Sequence, residues 1–249
     1  MMDFDNLNQY YRQHRADFPE SFRLRIHRSL SWLSRARSAA DDHRRILEEH
    51  IRSRHSSLCT DLQAGLHKAA SDLDIAFITQ WIAFNAAYAR DWETAVQSPE
   101  RHNLRQFLCA VCRLDKQRTL YRLVWEEFSD SIRLLLDNRY VFQAFWDFQN
   151  GSIGEQEWLE RFDAARKRAR TALADQNTET VLFIIFDRLY TLRNQLVHGG
   201  ATWNSSANRN QLRNGYAFLA ACIPAILHIM MQHPDSPDWG QPLYPFVRE

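Results

Sequence analysis

Glycine and proline are scarce in this sequence, although these two residues are the usual interruptions of regular structure. The 249 residues include seven glycines and seven prolines, and no proline occurs between Pro99 and Pro224. The sequence also lacks an internal repeat and any strand-like alternation of useful length. It therefore predicts long helices with few breaks and excludes folds that are built from many short strands and tight turns.

The chain also lacks a strong net charge and a regular pattern of cysteines. Its net charge of +1 excludes a bulk basic field for nucleic acids, so any such role needs a local patch. The four cysteines are irregularly spaced, and the N-terminus has no apolar signal segment. No run approaches the ~18 apolar residues of a membrane span. We therefore expect a soluble, cytoplasmic protein without membrane contact.

The closest pair of cysteines, Cys109 and Cys112, forms an isolated C-x2-C pattern. A structural zinc site requires a second pair of ligands, and none follows at a suitable spacing. The sequence therefore predicts two buried helix thiols, since free cysteine behaves as a small apolar residue. It predicts neither a metal nor a cofactor.

Apolar residues recur at three- and four-residue steps through most of the chain, which is typical of amphipathic helices. We expect one all-α domain over residues 1–249, with an irregular, proline-rich tail at 233–249. Residues 41–72 are mainly polar and predict a projecting helical insertion or hairpin that seeks a partner. The predicted helices cover about 21–36, 72–92, 116–138, 140–149, 155–174, 177–198 and 206–232.

One segment combines an apolar helix with a polar end, LRNQLVHGG at residues 192–200. It contains Arg193, Asn194 and His198, and a helix stop is predicted at Gly199. The pattern of arginine and histidine five residues apart occurs about once by chance in a chain this rich in arginine. A second copy, Arg45 and His50, lies in a polar segment. The first copy is distinguished by its apolar helix and its neighbouring asparagine.

The two residues of this pattern do not share a face of one helix, because positions five apart are separated by ~140°. Two copies of the helix end that meet across a two-fold axis would place two arginines and two histidines in one cleft. Histidine can transfer protons near neutral pH, and arginine can stabilise a phosphate as it gains charge. This set suits metal-free cleavage of RNA by its own 2′-hydroxyl, which yields a 2′,3′-cyclic phosphate and spares DNA.

The same segment resembles the signature helix of the HEPN superfamily, in which an arginine and a polar residue precede a histidine. Arg193, Asn194 and His198 match that motif position by position. Residues 76–89 and 29–36 also resemble helices of a bacterial HEPN branch. The likeness covers roughly residues 20–40 and 73–245, so that residues 41–72 stand as an insertion.

The resemblance implies a HEPN-like helical bundle that forms a homodimer through its motif helices. It also implies a metal-independent endoribonuclease, a toxin or defence effector, with RNA as substrate and a possible antitoxin or regulatory protein as partner. His198 is then the acid and base, Arg193 the phosphate clamp and Asn194 the orienting group. Some HEPN proteins are inactive binding or assembly modules, and this alternative stays open. A third reading is an adapter that binds a partner through residues 41–72.

Three further residues are candidates for contact with substrate. Asn85 lies among aromatic residues, where an amide either braces the motif helix or binds substrate. Trp203 and Asn204 follow the two glycines and can stack on a base or cap the next helix. The basic run at residues 166–170 is read first as a solvated helix end and second as an RNA-backbone patch.

Overall fold

The computed structural model describes residues 2–52, 59–89, 100–200, 202, 205–206 and 208–244, with side chains omitted at 40–72 and 100. Within these ranges the chain forms ten α-helices and no strand, which confirms the all-α prediction. The helices are α1 Phe4–His14, α2 Glu20–Arg52, α3 Cys59–Tyr88, α4 Glu100–Leu114, α5 Thr119–Arg122, α6 Ser129–Leu136, α7 Gln143–Gln149, α8 Glu155–Ala174, α9 Thr178–Val197 and α10 Arg209–Gln232.

Helices α2 and α3 are the longest and pack along each other. Their 33 and 30 residues correspond to roughly 50 and 45 Å at 1.5 Å per residue. The positions whose three- and four-residue spacing predicts burial are buried in both helices: Phe22, Ile26, Leu30, Leu33, Phe77, Trp81, Phe84 and Tyr88. The proposed insertion at 41–72 continues both helices in its described backbone. Its side chains, and residues 53–58 altogether, lie outside the described residues.

Helices α9 and α10 supply the most deeply buried part of the core. A Cβ atom at Gly215 would lie 2.8 Å from Leu189 Cδ2 and 3.1 Å from Phe77 Cε2, so glycine permits α10 to approach α3 and α9 closely. Helix α10 is long and apolar enough to cross a membrane, and 72% of its most apolar window is buried inside the protein. That burial is typical of a core helix.

The segment predicted as one helix over residues 116–138 is divided into three pieces. Helix α5 is followed by a π-helical turn at Leu123–Glu127, and α6 begins only at Ser129. At the junction, Phe128 leaves the helical conformation with φ −118° and ψ 12°. The prediction of a continuous helix is wrong here. A π-helical turn contains one more residue than an α-helical turn, and this addition cannot be recognised in the spacing of the apolar residues.

A second, smaller cluster of buried side chains joins α7 to α8. Phe145 and Trp158 pack with their ring centroids 5.3 Å apart, edge to face. Helix α7 ends beside Gly151, whose φ of 72° is left-handed, as predicted for a stop at this point. Helix α8 matches its predicted range of 155–174.

Buried ionic groups connect the helices over long distances in the sequence. The Arg25 guanidinium donates to the carbonyls of Ala87 at 2.6 Å and Trp239 at 2.9 Å, and also to those of Ala89 and Gly240. It thereby ties the end of α3 to the tail that follows α10. The Trp239 side chain is itself buried, in a short 3-10 turn at Pro237–Trp239. The predicted irregular tail is therefore anchored to the core.

The prediction of two buried thiols is wrong for Cys109, which is exposed on α4. Cys112 is half-buried, and desolvation raises its pKa to about 12. One helical turn separates the two residues, and only Cys112 faces the apolar interior. The pattern of two cysteines alone does not show which of them faces the core.

Candidate functional site

The motif helix α9 begins and ends where its sequence predicts. The Asn177 side chain accepts a hydrogen bond from the Thr180 amide at 2.9 Å, which is a standard N-cap. The body of the helix is almost wholly apolar and buried. Helical residues end at Val197, and Gly199 adopts a left-handed φ of 71° that terminates the helix. The buried body fixes the position of the polar end.

The Arg193 side chain is held in place by its neighbours on α9. Its Nη1 donates to Asn194 Oδ1 at 2.8 Å, and its guanidinium carbon lies 5.4 Å from the centre of the Tyr190 ring. The Tyr190 ring in turn lies 6.0 Å from that of Trp81 on α3. Arg193 and Asn194 are both half-buried. The core therefore supports the guanidinium through two aromatic rings.

His198 occupies the C-cap position of α9 and its side chain is exposed. Its backbone N–H donates to the Asn194 carbonyl at 2.9 Å, which closes the last turn. Arg193 and His198 are therefore five positions apart on a regular helix, and their side chains leave it in directions ~140° apart. The structure brings Arg193 and Asn194 into direct contact and places His198 at the same helix end.

Asn85 lies on α3, four residues after Trp81. Its Oδ1 atom is buried, and no described residue donates a hydrogen bond to it. The Trp81 indole Nε1 is likewise buried without an acceptor among the described residues. The bracing role expected of Asn85 is thus not carried by a hydrogen bond to Oδ1 within the described part of the chain. A buried amide oxygen without a donor remains able to accept one.

Trp203 and Asn204 lie outside the described residues. The segment around them is connected to the motif helix through Gln195, whose Oε1 accepts from Asn208 Nδ2 at 2.8 Å. The Gln195 Nε2 donates to the Tyr140 carbonyl at 2.6 Å. Gln195 therefore joins the start of α10 and the turn before α7 to the motif helix.

Two residues that contribute to this helix end were not singled out from the sequence, namely Tyr190 and Gln195. Tyr190 precedes Arg193 by three positions, so the helical spacing alone could have identified it as a neighbour. The role of Gln195 depends on Tyr140 and Asn208, which are distant in sequence or outside the helix. No local pattern indicates it.

The basic run at residues 166–170 contributes to packing as well as to charge. Arg166 forms an ion pair with Asp137 at 2.9 Å, and Ala169 is buried. Lys167, Arg168 and Arg170 are exposed. No group of three or more potential metal ligands is found among the described residues.

No protein-family model, curated protein or solved structure matches the chain.

Proposed function

We propose that the protein is a metal-independent endoribonuclease of HEPN type that acts as a homodimer, in the role of a toxin or defence effector. The observation that carries this proposal is the state of Arg193, whose guanidinium is held by Asn194 and Tyr190 at the end of a buried helix. A fixed guanidinium loses little freedom when it binds a phosphate, and it stabilises the charge that develops during cleavage.

A second subunit supplies the geometry that one helix lacks. Within one chain, Arg193 and His198 project in different directions from the helix axis. Val197, between them, is an exposed apolar side chain with 51% of its surface accessible. A two-fold contact between these helix ends would cover Val197 and bring the arginine of one subunit toward the histidine of the other. RNA would then bind in the cleft between the subunits.

In the proposed reaction, His198 removes the proton from the RNA 2′-hydroxyl, and the oxygen attacks the adjacent phosphorus. The bond to the 5′-oxygen breaks, and that oxygen receives a proton from the second histidine or from water. Arg193 stabilises the additional negative charge on the phosphate. The products are a 2′,3′-cyclic phosphate and a 5′-hydroxyl.

Cleavage of RNA in EDTA tests this proposal. We expect the purified protein to cut mixed-sequence RNA, and we expect His198→Ala and Arg193→Ala each to reduce the rate by at least about 100-fold. His50→Ala is the matched control, because it changes the second occurrence of the same spacing and should leave the rate unchanged. A substrate with one 2′-deoxy residue at the cut site should resist cleavage there.

The alternative is a non-catalytic HEPN module. In that case the contacts of Arg193 with Asn194 and Tyr190 would serve only to hold the dimer together. Light scattering separates the two roles. A variant Arg193→Ala that remains dimeric and folded but loses cleavage supports the enzyme. Intact RNA under all conditions, together with dissociation of that variant into monomers, would favour the module.

A further inference from the structure

A cleft of about 360 Å³ lies between α8 and α9, beside the beginning of α4. Its volume is within the usual range for a small-molecule site. Its apolar walls include Phe142, Phe183 and Ile184, and three arginines also line it: Arg101, Arg168 and Arg188. Of these three arginines only Arg188 is buried, whereas Arg101 and Arg168 are exposed.

Arg188 is the distinctive residue of this cleft. Only 1% of its surface is accessible, and its buried Nε and Nη1 atoms have no hydrogen-bond acceptor among the described residues. Its guanidinium carbon lies 4.3 Å from the centre of the Phe142 ring, so the ring face provides a weak electrostatic partner. Desolvation lowers the pKa of Arg188 to about 10, and the side chain remains charged at neutral pH. A buried cation without an anion is costly.

The other charges of the cleft supply that anion only in part. Desolvation lowers the pKa of Arg188 and the charge of Asp187 opposes that shift, but the Asp187 carboxylate forms its ion pair with Arg101, with an N–O distance of 2.9 Å. Arg168 is exposed at the rim of the cleft. The lining therefore contains three cations and one carboxylate, which is already paired with Arg101. The cleft carries a positive charge at one end of an apolar pocket.

We propose that this cleft binds a small organic anion, with its charged head toward Arg188 and a flat apolar body against Phe142 and Phe183. A carboxylate and a phosphate monoester both match the guanidinium, since each accepts hydrogen bonds from its planar donors. The apolar walls favour an aromatic body over a free inorganic ion. An RNA backbone fits less well, because its charges would remain at the rim while Arg188 is buried. The site lies outside the proposed nuclease centre and does not depend on it.

Isothermal titration calorimetry of the full chain with four probes tests the inference. These are phenyl phosphate, benzoate, inorganic phosphate and phenol. We expect at least one aryl anion to bind at least tenfold more tightly than both inorganic phosphate and phenol. Whichever of phenyl phosphate and benzoate binds more tightly then identifies the head group that the cleft prefers. Absence of binding by both aryl anions, or equal binding of inorganic phosphate, would overturn the proposal.

Two variants locate the binding within the cleft. Arg188→Met removes the buried cation, and Ala164→Trp fills the cleft from the exposed side of α8. Each should weaken aryl-anion binding at least tenfold, whereas Arg170→Gln, an exposed change on the same helix, should have no effect. Ala164→Trp decides the question if Arg188→Met fails to fold. Binding that survives Ala164→Trp would place the anion elsewhere and refute the site. If these variants lose aryl-anion binding but still cleave RNA, the anion site is separate from the proposed nuclease centre.

Discussion

Arg25 and Arg188 are buried to the same degree, with 1% of the surface of each accessible, but their surroundings differ. Arg25 donates to four backbone carbonyls that come from the end of α3 and from the tail. Arg188 has the face of Phe142 beneath its guanidinium and no hydrogen-bond acceptor for Nε or Nη1 among the described residues. The comparison indicates that burial alone does not define the role of a charged residue. The hydrogen bonds of Arg25 connect parts of the fold, whereas the donors of Arg188 that lack acceptors are the basis of the proposed anion site.

The largest expected effect on stability comes from replacing Arg25, whose guanidinium donates to four carbonyls. Arg25→Met leaves the Ala87 and Trp239 carbonyls buried without donors, and we expect the free energy of unfolding to fall by about 3 kcal/mol. Urea unfolding followed by circular dichroism measures this change.

Arg188→Met is the matched control for Arg25→Met, since it replaces an equally buried arginine. Methionine fills similar space and removes a buried charge whose Nε and Nη1 lack hydrogen-bond acceptors among the described residues, so the free energy of unfolding should stay within about 1 kcal/mol of the wild type or increase. Equal and large losses in both variants would contradict the distinction between the two arginines.

A smaller effect is expected at the ion pair between α3 and α10. Arg209 contacts both carboxylate oxygens of Asp74, at 3.1 and 3.3 Å, and the two side chains are 16% and 8% accessible. Asp74→Asn removes the charge but keeps the shape, and it should lower the free energy of unfolding by about 1–2 kcal/mol.

The exposed pair of Asp5 and Arg37 provides the comparison for Asp74→Asn. Its side chains are 72% and 47% accessible, so water screens the attraction. Asp5→Asn should change the free energy of unfolding by less than about 0.5 kcal/mol. If the two changes prove equal, burial of the Asp74 pair contributes nothing to its strength.

A small, pH-dependent effect is expected at His228, a half-buried residue on α10 whose ring meets that of Tyr10 edge to face at 5.1 Å. Desolvation lowers its pKa from 6.5 in the folded state. The unfolded chain therefore binds the proton more readily, and stability present above pH 6.5 is lost as the pH falls through the folded-state pKa.

Urea unfolding between pH 7.5 and 5 measures how the free energy of unfolding changes as His228 is protonated. Because His228 is partly solvated, we expect this loss of stability to be small, well below that of Asp74→Asn. His228→Gln should reduce the loss of stability at low pH, and the same change at the exposed His27 should leave the pH profile as it is. A profile that is identical in wild type and His228→Gln would show that burial of this ring has no energetic effect.

Much of the helical framework could be predicted from the sequence because helix formation depends on local spacing. The buried stripe of α2, the N-cap Asn177 and the stop at Gly199 are all set by residues within a few positions of one another. The π-helical turn at Leu123–Glu127 was not predicted, since one added residue leaves no mark in the composition of the segment.

The sequence also identifies Arg193, Asn194 and His198 as a polar end on an apolar helix, and HEPN membership and nuclease activity stay predictions. The sequence by itself determined that the chain is helical and where α9 begins and ends. Only the tertiary structure decided that Arg25 has hydrogen-bond acceptors for its guanidinium and that Arg188 lacks them for Nε and Nη1 among the described residues. The carbonyl partners of Arg25 are 62 to 215 positions away, and the cleft around Arg188 is formed by three helices. Local periodicity cannot specify such contacts, because they exist only after the helices have packed.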